Sequence, residues 1–173
     1  MYIDLSLGRT GTSSRTVAAQ MLGIKPTVHY PDINYFPQKP WSYTSDSIWS
    51  VRAKELLPYY GDKVKFLYVI RDLEDWLASW DKHDAKLRRS GAINSPKLKA
   101  HRIAIYGQDK FDSEVWSTVW KSHQDYVFSL PESQTYILHY WFPTNDEWKW
   151  SMFGNFLNVI PNVRIPFPHI NKS

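Results

Sequence analysis

A three-layer α/β fold, with a central parallel sheet of four to five strands flanked by helices, is predicted by three observations. Short apolar runs alternate along the chain with longer helical patterns. The clearest run, Lys65 to Ile70, is continuously apolar after its first residue, as in a strand buried on both faces. Glycine or proline marks most of the junctions.

The first strand is read in Tyr2-Ile3-Asp4-Leu5-Ser6-Leu7. It breaks into Gly8-Arg9-Thr10-Gly11-Thr12-Ser13-Ser14 and continues as a helical stretch over 15–22, stopped by Gly23. Residues 26–31 read as a short second strand closed by Pro31, and 32–44 as an aromatic, proline-punctuated loop. Ser45 or Asp46 is placed to cap a helix that ends near Pro58, and Gly61 turns the chain into the 65–70 strand.

Asp72 caps the next helix, which runs to about residue 87. Residues 88–110 show weak periodicity, so 82–110 is expected to be a lid or a surface insertion on the acceptor side. From Asp112 an apolar stripe marks a long helix to Leu130. A strand follows at 135–140, then a helix capped by Asn145 and a proline-rich tail. The 173 residues form one expected domain, without repeats.

The absence of cysteine excludes disulfides, thiolate catalysis and cysteine-ligated metal. No apolar run reaches membrane-spanning length and the first strand starts at residue 2, so a cytoplasmic protein with no membrane partner is expected. The net charge of +4 is concentrated in residues 82–110, which carry +6 and leave −2 elsewhere. That patch reads as a solvated face or an attractor of anions, and no nucleic-acid module is present, so no specific nucleic-acid binding is expected. Nine Trp, eleven Tyr and eight Phe are unusual; most are expected to be core and some to line an acceptor pocket.

The strand–loop–helix start is an anion cradle: its glycines allow close backbone approach, and the helix start offers free N–H groups. No lysine follows Gly11, so the triphosphate loop G-x-x-x-x-G-K-[ST] is not matched; the basic residue is Arg9, inside the turn. Arg71 ends the 65–70 strand at the edge where open α/β sheets bind ligands, with Ser79 eight residues on. Arg71 also reads as a strand-end arginine paired to Asp72 or Asp75.

Arg9-Thr10-Gly11-Thr12-Ser13 resembles the 5′-phosphosulfate loop of sulfotransferases, and the Arg71/Ser79 pair is similar to their 3′-phosphate site. The resemblance extends over nearly the whole chain, through Gly23-Ile24-Lys25-Pro26-Thr27-Val28-His29, Asp46, Val69-Ile70-Arg71-Asp72 and the ending Pro166-Phe167-Pro168-His169-Ile170-Asn171, to the compact bacterial and viral-type branch. Two family features are missing: Ser14 stands where many cytosolic members carry tryptophan, and the late Gly-x-x-Gly-x-Trp-Lys loop is absent.

The resemblance implies a P-loop-type fold. It also implies sulfuryl transfer from 3′-phosphoadenosine 5′-phosphosulfate to a hydroxyl or amine of a small-molecule or glycan acceptor, with no metal required. Arg9, Thr10, Gly11, Thr12, Ser13 and Ser14 would hold the phosphosulfate, and Arg71 with Ser79 the 3′-phosphate. For acceptor activation the candidates are His29, which ends the second strand beside the loop, and Asp46 as rival base or orienting partner. Asp32 and Arg52 are further acceptor-side candidates; His123, on an apolar helix face, reads as a core histidine, and His139 and His169 rank below His29. The rival readings are a small-molecule kinase and a non-catalytic binder of nucleotides or sulfated ligands.

Overall fold

The computed structural model describes residues 1–31, 42–139, 144–161 and 164–170. Five parallel strands, β1 (Tyr2–Asp4), β2 (Thr27–His29), β3 (Tyr43–Ser45), β4 (Lys65–Val69) and β5 (Thr135–Leu138), form one sheet in the order β2-β3-β1-β4-β5. Helix α1 (Thr12–Met21) joins β1 to β2, and the short α2 (Trp49–Arg52) and α3 (Leu57–Tyr60) lie between β3 and β4. Then α4 (Leu73–Arg89), α5 (Pro96–Tyr106) and α6 (Ser113–Phe128) precede β5, and α7 (Asp146–Leu157) follows it.

Period-two alternation sorts the strand side chains onto two cores. Ile3, Leu5, Phe66 and Tyr68 face one core with Trp76, Tyr106 and Trp116; Tyr43, Leu67, Val69 and Leu138 face the other with Trp150, Phe153 and Phe167. The chain leaves β1 toward β2 and leaves β4 toward β5, although β1 and β4 are neighbours. The loops after these two strands therefore flank a crevice at the carboxyl edge of the sheet, where α/β proteins bind ligands.

Most expected elements are present, with four differences, one being that the single helix expected to end near Pro58 is broken into α2 and α3, the second opening around Pro58 and running to Tyr60. The 32–44 segment, expected as loop, includes Tyr43 and Thr44 of strand β3; the rest of it, from residue 32 to 41, lies outside the described residues. Neither Ser45 nor Asp46 caps a helix: Ser45 is the last residue of β3, Asp46 turns with φ 52°, and α2 starts behind Ile48 without a side-chain cap. The weakly periodic 88–110 segment contains α5, capped by the Ser95 hydroxyl, opened by Pro96 and ended at Gly107 with φ 78°. Its low amphipathicity follows from the polar residues it buries, His101 and Arg102. Asp72 and Asn145 cap α4 and α7 as expected.

His123 is a core histidine, 4% exposed, its ring nitrogen 2.8 Å from the Leu5 carbonyl and its ring in a T-shaped contact with Tyr68. Burial pushes its pKa down to about 4. An unfolded imidazole takes its proton near pH 6.5, so this stabilisation is complete above that value and is lost as pH falls toward 4, by about 3 kcal/mol in all. Urea unfolding at pH 7 and pH 5 is expected to show a slope of this sign, and His123→Gln to reduce it, the remainder belonging to the other depressed imidazoles, His83 and His101.

Candidate active site

Crowding fixes the β1–α1 loop. The Gly8 N–H donates to the Tyr106 hydroxyl at 3.2 Å, the Gly8 carbonyl accepts from Trp76 Nε1 at 2.8 Å, and a Cβ at Gly8 would stand 2.8 Å from the Trp80 ring. Behind these residues Tyr106 stacks on Trp116 at 4.0 Å, so much of the chain's aromatic content forms a wall behind the loop. Arg9 and Gly11 take positive φ (70° and 88°), which turns the loop around the start of α1, where no side chain caps the N-terminus. The first-turn N–H groups of α1 thus lie at the crevice.

The two sequence-predicted arginines meet at this turn. Arg71 Nη1 donates to the Arg9 carbonyl at 2.5 Å, and Arg9 Nε donates to Ser79 Oγ at 3.1 Å. Ser79 therefore stands against the loop arginine, where the sequence pairs it with Arg71. Burial lowers the pKa of both guanidiniums; Arg71 lowers that of Arg9 further and Asp46 partly offsets this, while Asp75 offsets the shift of Arg71. Two cations pressed together and partly desolvated make an environment that a bound anion relieves.

Of the other loop residues, Gly11, Thr12, Ser13 and Ser14 line the cavity described below; Thr10 does not. Thr10 is buried, with its hydroxyl donated to the Leu7 carbonyl at 2.7 Å, so the expectation that this hydroxyl serves as a ligand donor is corrected. The Ser14 hydroxyl accepts from the Ile170 N–H at 3.0 Å, tying the proline-rich tail across the site.

On the other side of the loop, His29 and Asp46 are brought together. His29 Nε2 lies 2.9 Å from Ser13 Oγ and 3.9 Å from Asp46 Oδ2, and His29 Nδ1 lies 2.9 Å from Ser45 Oγ. The β2–β3 register sets His29 directly opposite Ser45. Arg52, by contrast, is exposed and paired to Glu55 away from the cavity, which removes it as an acceptor-side candidate; Asp32 lies outside the described residues. His139 is exposed and also away from the cavity, whereas His169 lines it and pairs with Asp146 at 3.0 Å.

These residues surround a cavity of about 530 Å³, in the range of small-molecule sites. Its lining also includes Tyr30, Trp80, His83, His101, Arg102 and Lys149, to which the sequence assigns no site role. Arg102, 1% exposed, is held by Asp84 at 2.7 Å and lies 5.4 and 5.6 Å from the Trp80 and Trp116 rings. Burial raises the pKa of Asp84, but Arg102 and Arg88 outweigh it and hold the carboxyl below its ordinary value, so the two arginines share one carboxylate. Burial, then Arg9 and Arg102, push His83 down to about 4, and burial lowers His101 as well; both rings are neutral near pH 7. Among the described lining residues Asp46 is the one carboxylate. Positive charge at the cavity is thus gathered at Arg9, Arg71 and Arg102 and at Lys149 of α7.

No family model matches the chain, and no curated protein matches it significantly. No described helix is long and apolar enough to cross a membrane.

Proposed function

We propose that this chain is a sulfotransferase that moves a sulfuryl group from 3′-phosphoadenosine 5′-phosphosulfate to a hydroxyl or amine of a small-molecule or glycan acceptor. The observation that carries this reading is the convergence of Arg9 and Arg71, from the ends of two adjacent parallel strands, at the open N-terminus of α1 with Ser79 between helix and loop. The residues fit a ligand with two anionic ends. In this reading Arg9 and the Gly11–Ser14 backbone hold one end and Arg71 the other.

The donor supplies an activated sulfuryl group, and the chain's own contribution is alignment, charge stabilisation and proton removal. Arg9 lies where negative charge builds as the phosphosulfate bond breaks, and the α1 N–H groups reinforce it. His29, with Asp46 beside it, takes the proton of an acceptor hydroxyl at Nε2.

Titration calorimetry with 3′-phosphoadenosine 5′-phosphate, the stable product, tests the reading against ATP with magnesium. Magnesium-independent binding that weakens by about ten- to a hundredfold in Arg71→Ala is expected, since the variant removes a charge-assisted contact. Binding of ATP with magnesium alone would favour a kinase. Binding of neither would overturn the donor site.

A further inference from the structure

The hydrogen-bond chain that reaches His29 has a direction. It begins at the Thr12 carbonyl, which can only accept. Thr16 Oγ1 lies 3.0 Å from that oxygen and Ser45 Oγ 3.5 Å from it. The two hydroxyls are 2.6 Å apart, and Ser45 Oγ is 2.9 Å from His29 Nδ1.

Each hydroxyl has one proton to give. If Thr16 donates to the Thr12 carbonyl, Ser45 must donate to Thr16, and the Ser45 oxygen then accepts from Nδ1–H. If Ser45 donates to the carbonyl instead, Thr16 donates to Ser45, and Nδ1 is again the donor. If Ser45 donates to Nδ1 instead, one bond fewer is made: either no hydroxyl proton reaches the Thr12 carbonyl, or the 2.6 Å contact between the hydroxyls has no proton in it. Ser45 and Thr16 are 0% and 4% exposed, so water is not at hand to repair that loss.

We infer that Ser45 and Thr16 are positioning residues: their buried relay locks His29 in the Nδ1–H tautomer and leaves Nε2 as a bare lone pair facing Ser13 and Asp46. The relay follows from the fold, because the β2–β3 register sets Ser45 opposite His29, and Thr16 follows Thr12 by one turn of α1. Ser13 Oγ, 2.9 Å from Nε2, then donates its proton there and marks the place of an acceptor hydroxyl. This catalytic consequence rests on the transferase reading; the tautomer does not.

Long-range proton–nitrogen correlation spectra of the full ¹⁵N-labelled chain at about pH 8.5, where imidazoles are neutral, read the tautomer directly. The His29 signals are assigned by their loss in His29→Gln. A protonated Nδ1 and an unprotonated Nε2 are expected in the parent. Ser45→Ala and Thr16→Val are expected to mix the two forms, and Ser45→Thr to restore the parent pattern. With donor and acceptor, Ser45→Ala is expected to lower kcat by roughly ten- to a hundredfold without changing the affinity for 3′-phosphoadenosine 5′-phosphate.

An Nε2–H form in the parent overturns the inference, as does a parent-like pattern in both Ser45→Ala and Thr16→Val. The expected pattern in a chain that does not bind the nucleotide sustains the relay and defeats the transferase reading.

Discussion

Arg15→Met is expected to remove about 3–5 kcal/mol of folding stability, the usual cost of leaving one member of a buried ion pair behind. Arg15 and Asp4 are both fully buried beneath the β1–α1 loop, 2.6 Å apart, and Tyr43 donates its hydroxyl to the same carboxylate at 2.9 Å. Burial works against the Arg15 charge, yet Asp4 and Tyr43 outweigh it and raise its pKa. Methionine keeps much of the volume but leaves Asp4 with the Tyr43 hydroxyl and the Ser6 N–H alone. For a domain whose whole stability is about 5–15 kcal/mol, that is a large fraction.

The same substitution reaches the site. Arg15 Nη1 donates to the Thr10 carbonyl at 2.6 Å, so the arginine holds the loop between Arg9 and Gly11 from below. Nucleotide affinity is therefore expected to fall in Arg15→Met under conditions where the variant remains folded. The urea midpoint measures the first effect and calorimetry the second. A midpoint shift worth less than about 1 kcal/mol, below the range for a broken buried pair, would contradict the assignment of Arg15 as the anchor of the loop. Asp4→Leu combined with Arg15→Met is expected to recover only part of the loss, because it leaves the Tyr43 hydroxyl and the Ser6 N–H without the acceptor they share.

Asp4 and Arg15 also show where sequence reading reaches its limit. The strand and the helix that carry them were legible from apolar runs and glycine punctuation, and the anion cradle from Gly11 and Arg9. Nothing local says that an aspartate inside an apolar run will meet an arginine eleven positions later in a dry pocket; that contact exists only once α1 packs on the sheet. Helix α5 was illegible for a related reason. Its buried side chains include His101 and Arg102, so its inner face lacks an apolar stripe, although Ser95, Pro96 and Gly107 mark its ends. Thr10 illustrates the converse: a loop hydroxyl reads as a ligand donor, while the turn directs it inward to the Leu7 carbonyl. Arg71 and His29 reach the cavity because strand ends converge at the carboxyl edge of a parallel sheet, whereas Ser79 and Asp46 were singled out by the family resemblance and not by local pattern.

His29→Ala is expected to lower kcat by about 10²–10⁴-fold, the range for loss of a positioned general base, while changing nucleotide affinity little. The two effects separate because His29 approaches the loop through Ser13, on the side away from the Arg9–Ser79 and Arg71–Arg9 contacts. Product formation from the sulfuryl donor with a panel of phenols and sugars gives the first quantity, and calorimetry with 3′-phosphoadenosine 5′-phosphate the second. Asp46 is the competing base, since its carboxylate lies 3.9 Å from Nε2 and lines the same cavity. Asp46→Asn keeps its shape and removes its charge, so a rate loss larger than that of His29→Ala would transfer the proton-accepting role to Asp46. Rescue of His29→Ala by added imidazole would return that role to the ring. Equal loss of rate and affinity in His29→Ala would instead make His29 part of the donor site, because only a group needed after binding can spare the affinity.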